Sequence, residues 1–173
     1  MSWARASFSA ILLLFFFVIQ EAAISKINFP ISGFSLYLCV LLGLMALEDQ
    51  FGAIALGFIG GIILDLSPSS DSPFGKWSLI LTLVGYLFSR NRESIGDFTE
   101  RPVAFILFVS AGATSTLLIF LIFGIILGEN NGAILNNLQT VVGNGIWTLL
   151  FSSILLPGLV KLRQFTLTSR ERI

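Results

Sequence analysis

Apolar residues in this chain come in six long runs, separated by short polar breaks. The runs cover residues 6–24, 31–47, 51–66, 76–88, 102–127 and 138–160. The breaks carry the turn-forming and charged residues. Pro30 and Gly33 precede the second run, and Glu48-Asp49 closes it. Pro68 closes the third, and Pro73 and Gly75 introduce the fourth. A hydrophilic stretch from Arg90 to Arg101 and an Asn/Gly stretch from Gly128 to Asn137 divide the rest. A helix needs about 20 mostly apolar residues to cross a hydrocarbon layer about 30 Å thick. The pattern therefore predicts an all-α integral membrane protein, one bundle of six transmembrane helices filling residues 1–173 as a single domain. Runs 2, 3 and 4 are short, and a re-entrant pair formed by runs 3 and 4 is the alternative arrangement. A cleavable signal peptide is the alternative for run 1. Gln20 and Glu21 crowd its Ala22-Ala23 site, which argues for a retained span.

Composition sharpens this reading. Hydrophobic residues make up 55% and charged residues 12%, with mean hydropathy +0.91, too apolar to clothe a water-facing domain. Lysine and arginine balance aspartate and glutamate at ten each, so net charge points to no nucleic-acid partner. The basic residues are nevertheless unevenly placed. With six spans, Arg5, Arg90, Arg92, Arg101, Lys161, Arg163, Arg170 and Arg172 fall on one side, and only Lys26 and Lys76 on the other. The positive-inside rule then predicts a multi-pass cell-membrane protein with both termini cytoplasmic. Cys39 is the sole cysteine, so no disulfide forms within the chain. Histidine is absent, which removes imidazole metal sites and histidine-based triads. Neither a metal nor a cofactor is expected.

Asp65 is the sharpest chemical feature. Aspartate at the centre of a spanning helix costs about 2.5–3.5 kcal/mol, and less towards an interface. Ala53, Gly57, Gly61 and Asp65 recur every fourth residue and share one helix face. Gly57 and Gly61 form a GxxxG pair, which lets a second helix approach closely. Asp65 thus points to a packed seam, either as a partner contact or as an interfacial acid reaching water. The turn after it, with Pro68, Pro73, Gly75 and Trp77, is the candidate partner-binding element. Gln20 and Glu21 are read as reaching the same surface. Trp77 and Tyr37 suit one aromatic belt, and Trp3 and Tyr86 the other. Trp147 falls deeper, as packing. Asn144 is expected to bond across helices, and Ser110, Thr114, Ser115 and Thr116 to bond back to helix carbonyls. No HExxH, GxSxG or P-loop pattern is present, and no paired intramembrane carboxylates, so the expectation is a protein that is not an enzyme.

Three segments carry a family resemblance: Gly57-Phe58-Ile59-Gly60-Gly61-Ile62-Ile63-Leu64-Asp65-Leu66-Ser67-Pro68, Pro73-Phe74-Gly75-Lys76-Trp77 and Leu83-Val84-Gly85-Tyr86-Leu87. Together they resemble the rod shape-determining protein MreD family, and the long turn is most similar to actinobacterial members. Glu48-Asp49 departs from the family's more usual basic or neutral link. The resemblance implies a fold similar to the substrate-binding subunits of energy-coupling-factor vitamin transporters. It implies a non-enzymatic scaffold of the cell-elongation machinery, supporting lateral peptidoglycan synthesis. The implied partners are MreC, the MreB filament system and a glycosyltransferase–transpeptidase pair, with membrane lipid around the bundle. The other reading open at this point is a transporter subunit that binds a vitamin or another small molecule.

Overall fold

The computed structural model describes residues 3–26, 34–67, 72–95, 102–129 and 134–166. These residues are all-helical: α1 (Trp3–Ala22), a 3-10 turn (Ile24–Lys26), α2 (Leu36–Leu47), α3 (Gln50–Asp65), α4 (Lys76–Ile95), α5 (Pro102–Ile126) and α6 (Ile134–Thr166). Two segments, Pro102–Ile126 and Asn136–Lys161, are long and apolar enough to cross a membrane. The helices Leu36–Leu47 and Gln50–Asp65 are shorter and apolar.

The core is built around α2. All twelve of its residues are buried, and it packs against α1, α3, α4, α5 and α6. A helix that is apolar all round has no face to offer water, and the centre of a bundle is where it is stable. Ser35 starts α2 by accepting from the backbone N–H of Leu38 at 3.2 Å. Asp49 starts α3 in the same way, accepting from Gly52 at 3.3 Å. Both supply acceptors to amides that have no partner inside their own helix. Only a Glu48-Asp49 link separates the two helices.

Several boundaries differ from the hydropathy reading. Helix α4 runs on to Ile95, through Arg90 and Arg92, which the sequence reading placed in a loop. Arginine is a good helix former, and continuing a helix is easier than nucleating a new element. Helix α6 likewise begins at Ile134 and continues to Thr166, beyond its apolar stretch on both sides. Residues 31–33, predicted to open the second span, and residues 96–101 lie outside the described residues. Tyr37 is not a surface belt residue. It is fully buried, its hydroxyl donates to the Gly60 carbonyl at 2.9 Å, and its ring meets Phe17 edge-on. A phenol with an internal acceptor is stable inside the bundle.

Candidate functional site

Helices α3 and α4 form an antiparallel hairpin whose backbones nearly touch. A Cβ at Gly57 would collide with the Leu81 carbonyl, and one at Gly61 with Ser78 Cα. From the other side, a Cβ at Gly85 would lie 2.6 Å from the Ala53 carbonyl oxygen. Ala53 itself is fully buried. Only hydrogen fits at the three glycines, so the stripe Ala53, Gly57, Gly61 lies directly against α4.

That close approach aims Asp65, the last residue of α3, at the start of α4. One carboxylate oxygen accepts from the Trp77 amide at 3.0 Å, and the other from the Ser78 amide at 3.0 Å. The Ser78 hydroxyl donates to the second oxygen as well. A helix usually receives these bonds from its own capping side chain. Here that position is Gly75, which has no side chain and stands at φ +94°, a conformation that favours glycine. Asp65 supplies the cap from across the turn, and its negative charge faces the positive end of the α4 dipole. Both oxygens are engaged within the chain, so the chemistry of this carboxylate is that of a helix cap.

The rest of the predicted turn divides by position. Pro73 is exposed, and its carbonyl accepts from the Lys76 amide at 3.2 Å. Pro68 lies outside the described residues. Trp77 is half-buried, and its ring stacks on Phe120 of α5, with centroids 4.1 Å apart. Gln20 and Glu21, both partly exposed, also make bonds to neighbouring elements. The Gln20 side chain accepts from the Leu36 amide at 2.8 Å, capping α2 from α1, and Glu21 accepts from the Ser67 hydroxyl at 3.2 Å. Bonds inside the bundle are worth more than bonds to water at an apolar boundary.

Lys76 and Glu129 were not singled out from the sequence, yet they form an ion pair at this end. The Lys76 side chain is 2% exposed, and its ammonium bonds to Glu129 Oε2 at 2.5 Å. The same ammonium lies 3.7 Å from the centroid of the Phe120 ring. Glu129 is placed by the way α5 ends. Gly128, at φ +74°, donates to Ile125 and Glu129 donates to Gly124, a Schellman closure. The available signal was that Lys76 and Glu129 are isolated opposite charges at the margins of apolar runs.

A second polar set lies between α5 and α6. The Ser110 hydroxyl donates to the Gly145 carbonyl at 2.8 Å, crossing the helix pair. Thr114 and Thr116 bond back to carbonyls four residues earlier. The Asn144 side-chain oxygen accepts from Thr148 within α6 at 3.2 Å. Among the described residues no group of three His, Cys, Asp or Glu side chains converges as a metal site would. Comparison with protein-family models, curated proteins and solved structures finds no match to this chain.

Proposed function

We propose that the chain is a six-span cell-membrane scaffold of the cell-elongation machinery, holding MreC and the wall-synthesising glycosyltransferase–transpeptidase pair beside the MreB filament system. In this reading α1–α6 all cross the bilayer and both termini are cytoplasmic, as the distribution of basic residues suggests. The observation that supports it is the convergence of the three resembling segments. Gly57, Gly61, Asp65, Gly75, Trp77 and Gly85 meet in one rigid hairpin, with the polar groups of Asp65 consumed in holding it together. A stiff hairpin presents its flanking residues at fixed positions, which is what a docking element requires.

Because the carboxylate is engaged inside, docking falls to the exposed apolar residues that the Asp65 cap positions. Phe74 is 72% exposed and Leu66 67% exposed, on either side of the turn. Partner contact through Pro73, Phe74 and Leu66 is therefore the working form of the proposal, with Asp65, Gly75 and Trp77 shaping the surface. Purification of the tagged full chain from native membranes, followed by mass spectrometry, tests it. MreC and the synthase pair should co-purify with the wild type and be lost with Phe74→Ser/Leu66→Ser at unchanged membrane abundance. A bound vitamin and no wall-synthesis proteins would sink the scaffold reading. Topology is tested separately, in a Cys39→Ser background. Cysteine at Phe74 should react with an impermeant reagent on intact cells, and cysteine at Gln50 should not.

A further inference from the structure

Among the described residues, one side of α4 is left uncovered by the rest of the bundle. Gly85 and Leu81 meet α3, and Ile80, Val84 and Phe88 are buried in the core. Leu79, Leu83, Tyr86 and Leu87 are exposed, and so is Arg90. At 3.6 residues per turn these positions fall within one stripe roughly 100° wide. From Leu79 to Arg90 the stripe is about 16 Å long. It is apolar over most of that length and cationic at its end. Tyr86 and Arg90 stand one turn apart, and the guanidinium donates to the Tyr86 hydroxyl at 3.4 Å. The phenol oxygen thus acts as acceptor, and its own proton is left to donate outwards. The guanidinium has five N–H donors, so a planar fork remains for a second acceptor. No carboxylate pairs with Arg90 among the described residues. The bond to Tyr86 holds the long arginine side chain in place, which lowers the entropy that a ligand would cost it.

We propose that this stripe binds an anionic glycerophospholipid, its headgroup phosphate on Arg90 and Tyr86 and an acyl chain along Leu79, Leu83 and Leu87. The inference rests on the membrane reading above and adds the class of lipid that the bundle selects. A phosphate is the acceptor that a guanidinium fork matches in shape and charge, and a phenol supplies a further donor beside it. The apolar strip decides the source of that phosphate. A free phosphate would use the donors and leave the strip idle, whereas a phospholipid uses both. A zwitterionic lipid would cover the strip but bring its own cation towards Arg90. In the six-span reading Arg90 lies on the side that holds most of the lysines and arginines, the cytoplasmic side, where anionic lipids give the leaflet its negative potential.

The test is native mass spectrometry of the full-length protein in detergent, titrated with phosphatidylglycerol or phosphatidylcholine of identical acyl chains. The wild type should bind phosphatidylglycerol about fivefold more tightly, the effect of one basic residue near an anionic headgroup. Arg90→Gln should remove that preference. Tyr86→Phe keeps the ring and should weaken phosphatidylglycerol binding about threefold, the loss of a single hydrogen bond. Both positions are exposed, so neither change disturbs the core. Lys161→Gln, at another exposed basic residue on the same side, should keep the wild-type preference. An unchanged preference in Arg90→Gln overturns the proposal. An equal loss in Lys161→Gln shows a diffuse attraction to surface charge and overturns it too. Displacement of the lipid by millimolar glycerol phosphate shows a site for soluble phosphates, which also overturns it. Alkaline washing of native membranes separates this inference from the reading beneath it. A chain released by the wash sinks both, whereas a chain that is retained and shows no lipid preference sinks the lipid site alone.

Discussion

The two hairpins of this bundle solve the same problem in opposite ways. In α3–α4 the helices meet backbone to backbone through Gly57, Gly61 and Gly85, and the joint is closed by an aspartate that caps the second helix. In α5–α6 the helices are longer, and a side-chain hydroxyl, Ser110 to Gly145, ties them across the middle. Large apolar residues cover much of their outer surface. Close backbone contact maximises dispersion and leaves no room for adjustment. Side-chain contact over long helices tolerates sliding. The first hairpin is built to be rigid and the second to be adaptable.

The largest test of this difference is to add bulk to the rigid seam. Gly61→Leu should destabilise the protein by about 3 kcal/mol or prevent its folding, since overpacking against a backbone cannot relax by a rotamer change. Thermal unfolding with fluorescence-detected gel filtration measures it. Gly158→Leu is the control on the adaptable hairpin, where a Cβ meets nothing within 4 Å, and it should stay near the wild-type midpoint. Gly52, one position off the stripe, is a poor control. A Cβ there lies 2.6 Å from Asp49 Oδ1 and would disturb the cap of α3. Similar losses at Gly61 and Gly158 would erase the distinction between the hairpins.

Removing the cap should have the next largest effect. Asp65→Leu strands two amides and a hydroxyl and should cost about 2–3 kcal/mol. Asp65→Asn keeps one acceptor oxygen and should cost about 1 kcal/mol. The same melting assay ranks the two. Equal losses would mean that packing rather than capping makes Asp65 important. The smallest expected effect is Ser110→Ala, about 0.6 kcal/mol, typical of a single interhelical bond in an apolar setting. A loss above that of Asp65→Asn would show that the second hairpin is the stiffer one.

The six helices were legible because six apolar runs, three of them short, are each bounded by charge, proline or glycine. Their ends were less legible where arginine continued α4, since hydropathy marks where a helix leaves an apolar setting and not where its backbone stops. The stripe through Asp65 could be read from its four-residue spacing. The groups that its carboxylate receives could not, because they depend on how the next helix begins after the turn. Lys76 and Glu129 were the hardest, being 53 positions apart and brought together only by the packing of α4 against α5. The belt reading of Tyr37 failed for a related reason. An amphipathic side chain near a helix end satisfies both a surface rule and an internal bond, and only the neighbouring helix decides between them.

The centrality of α2 has a consequence for biogenesis. Its twelve residues extend about 18 Å, well short of the roughly 30 Å of a hydrocarbon core. If the chain spans a membrane as proposed, such a segment is a poor candidate for independent insertion by the translocation machinery. On the six-span reading proposed above, its route into the bilayer is as one arm of a unit with α3, joined through the tight Glu48-Asp49 link. The groove that encloses it is completed only when α5 and α6 have been synthesised. Nascent chains cut short before α5 would therefore carry an uncovered core helix, the kind of exposed apolar surface that makes an unfinished protein prone to misassembly.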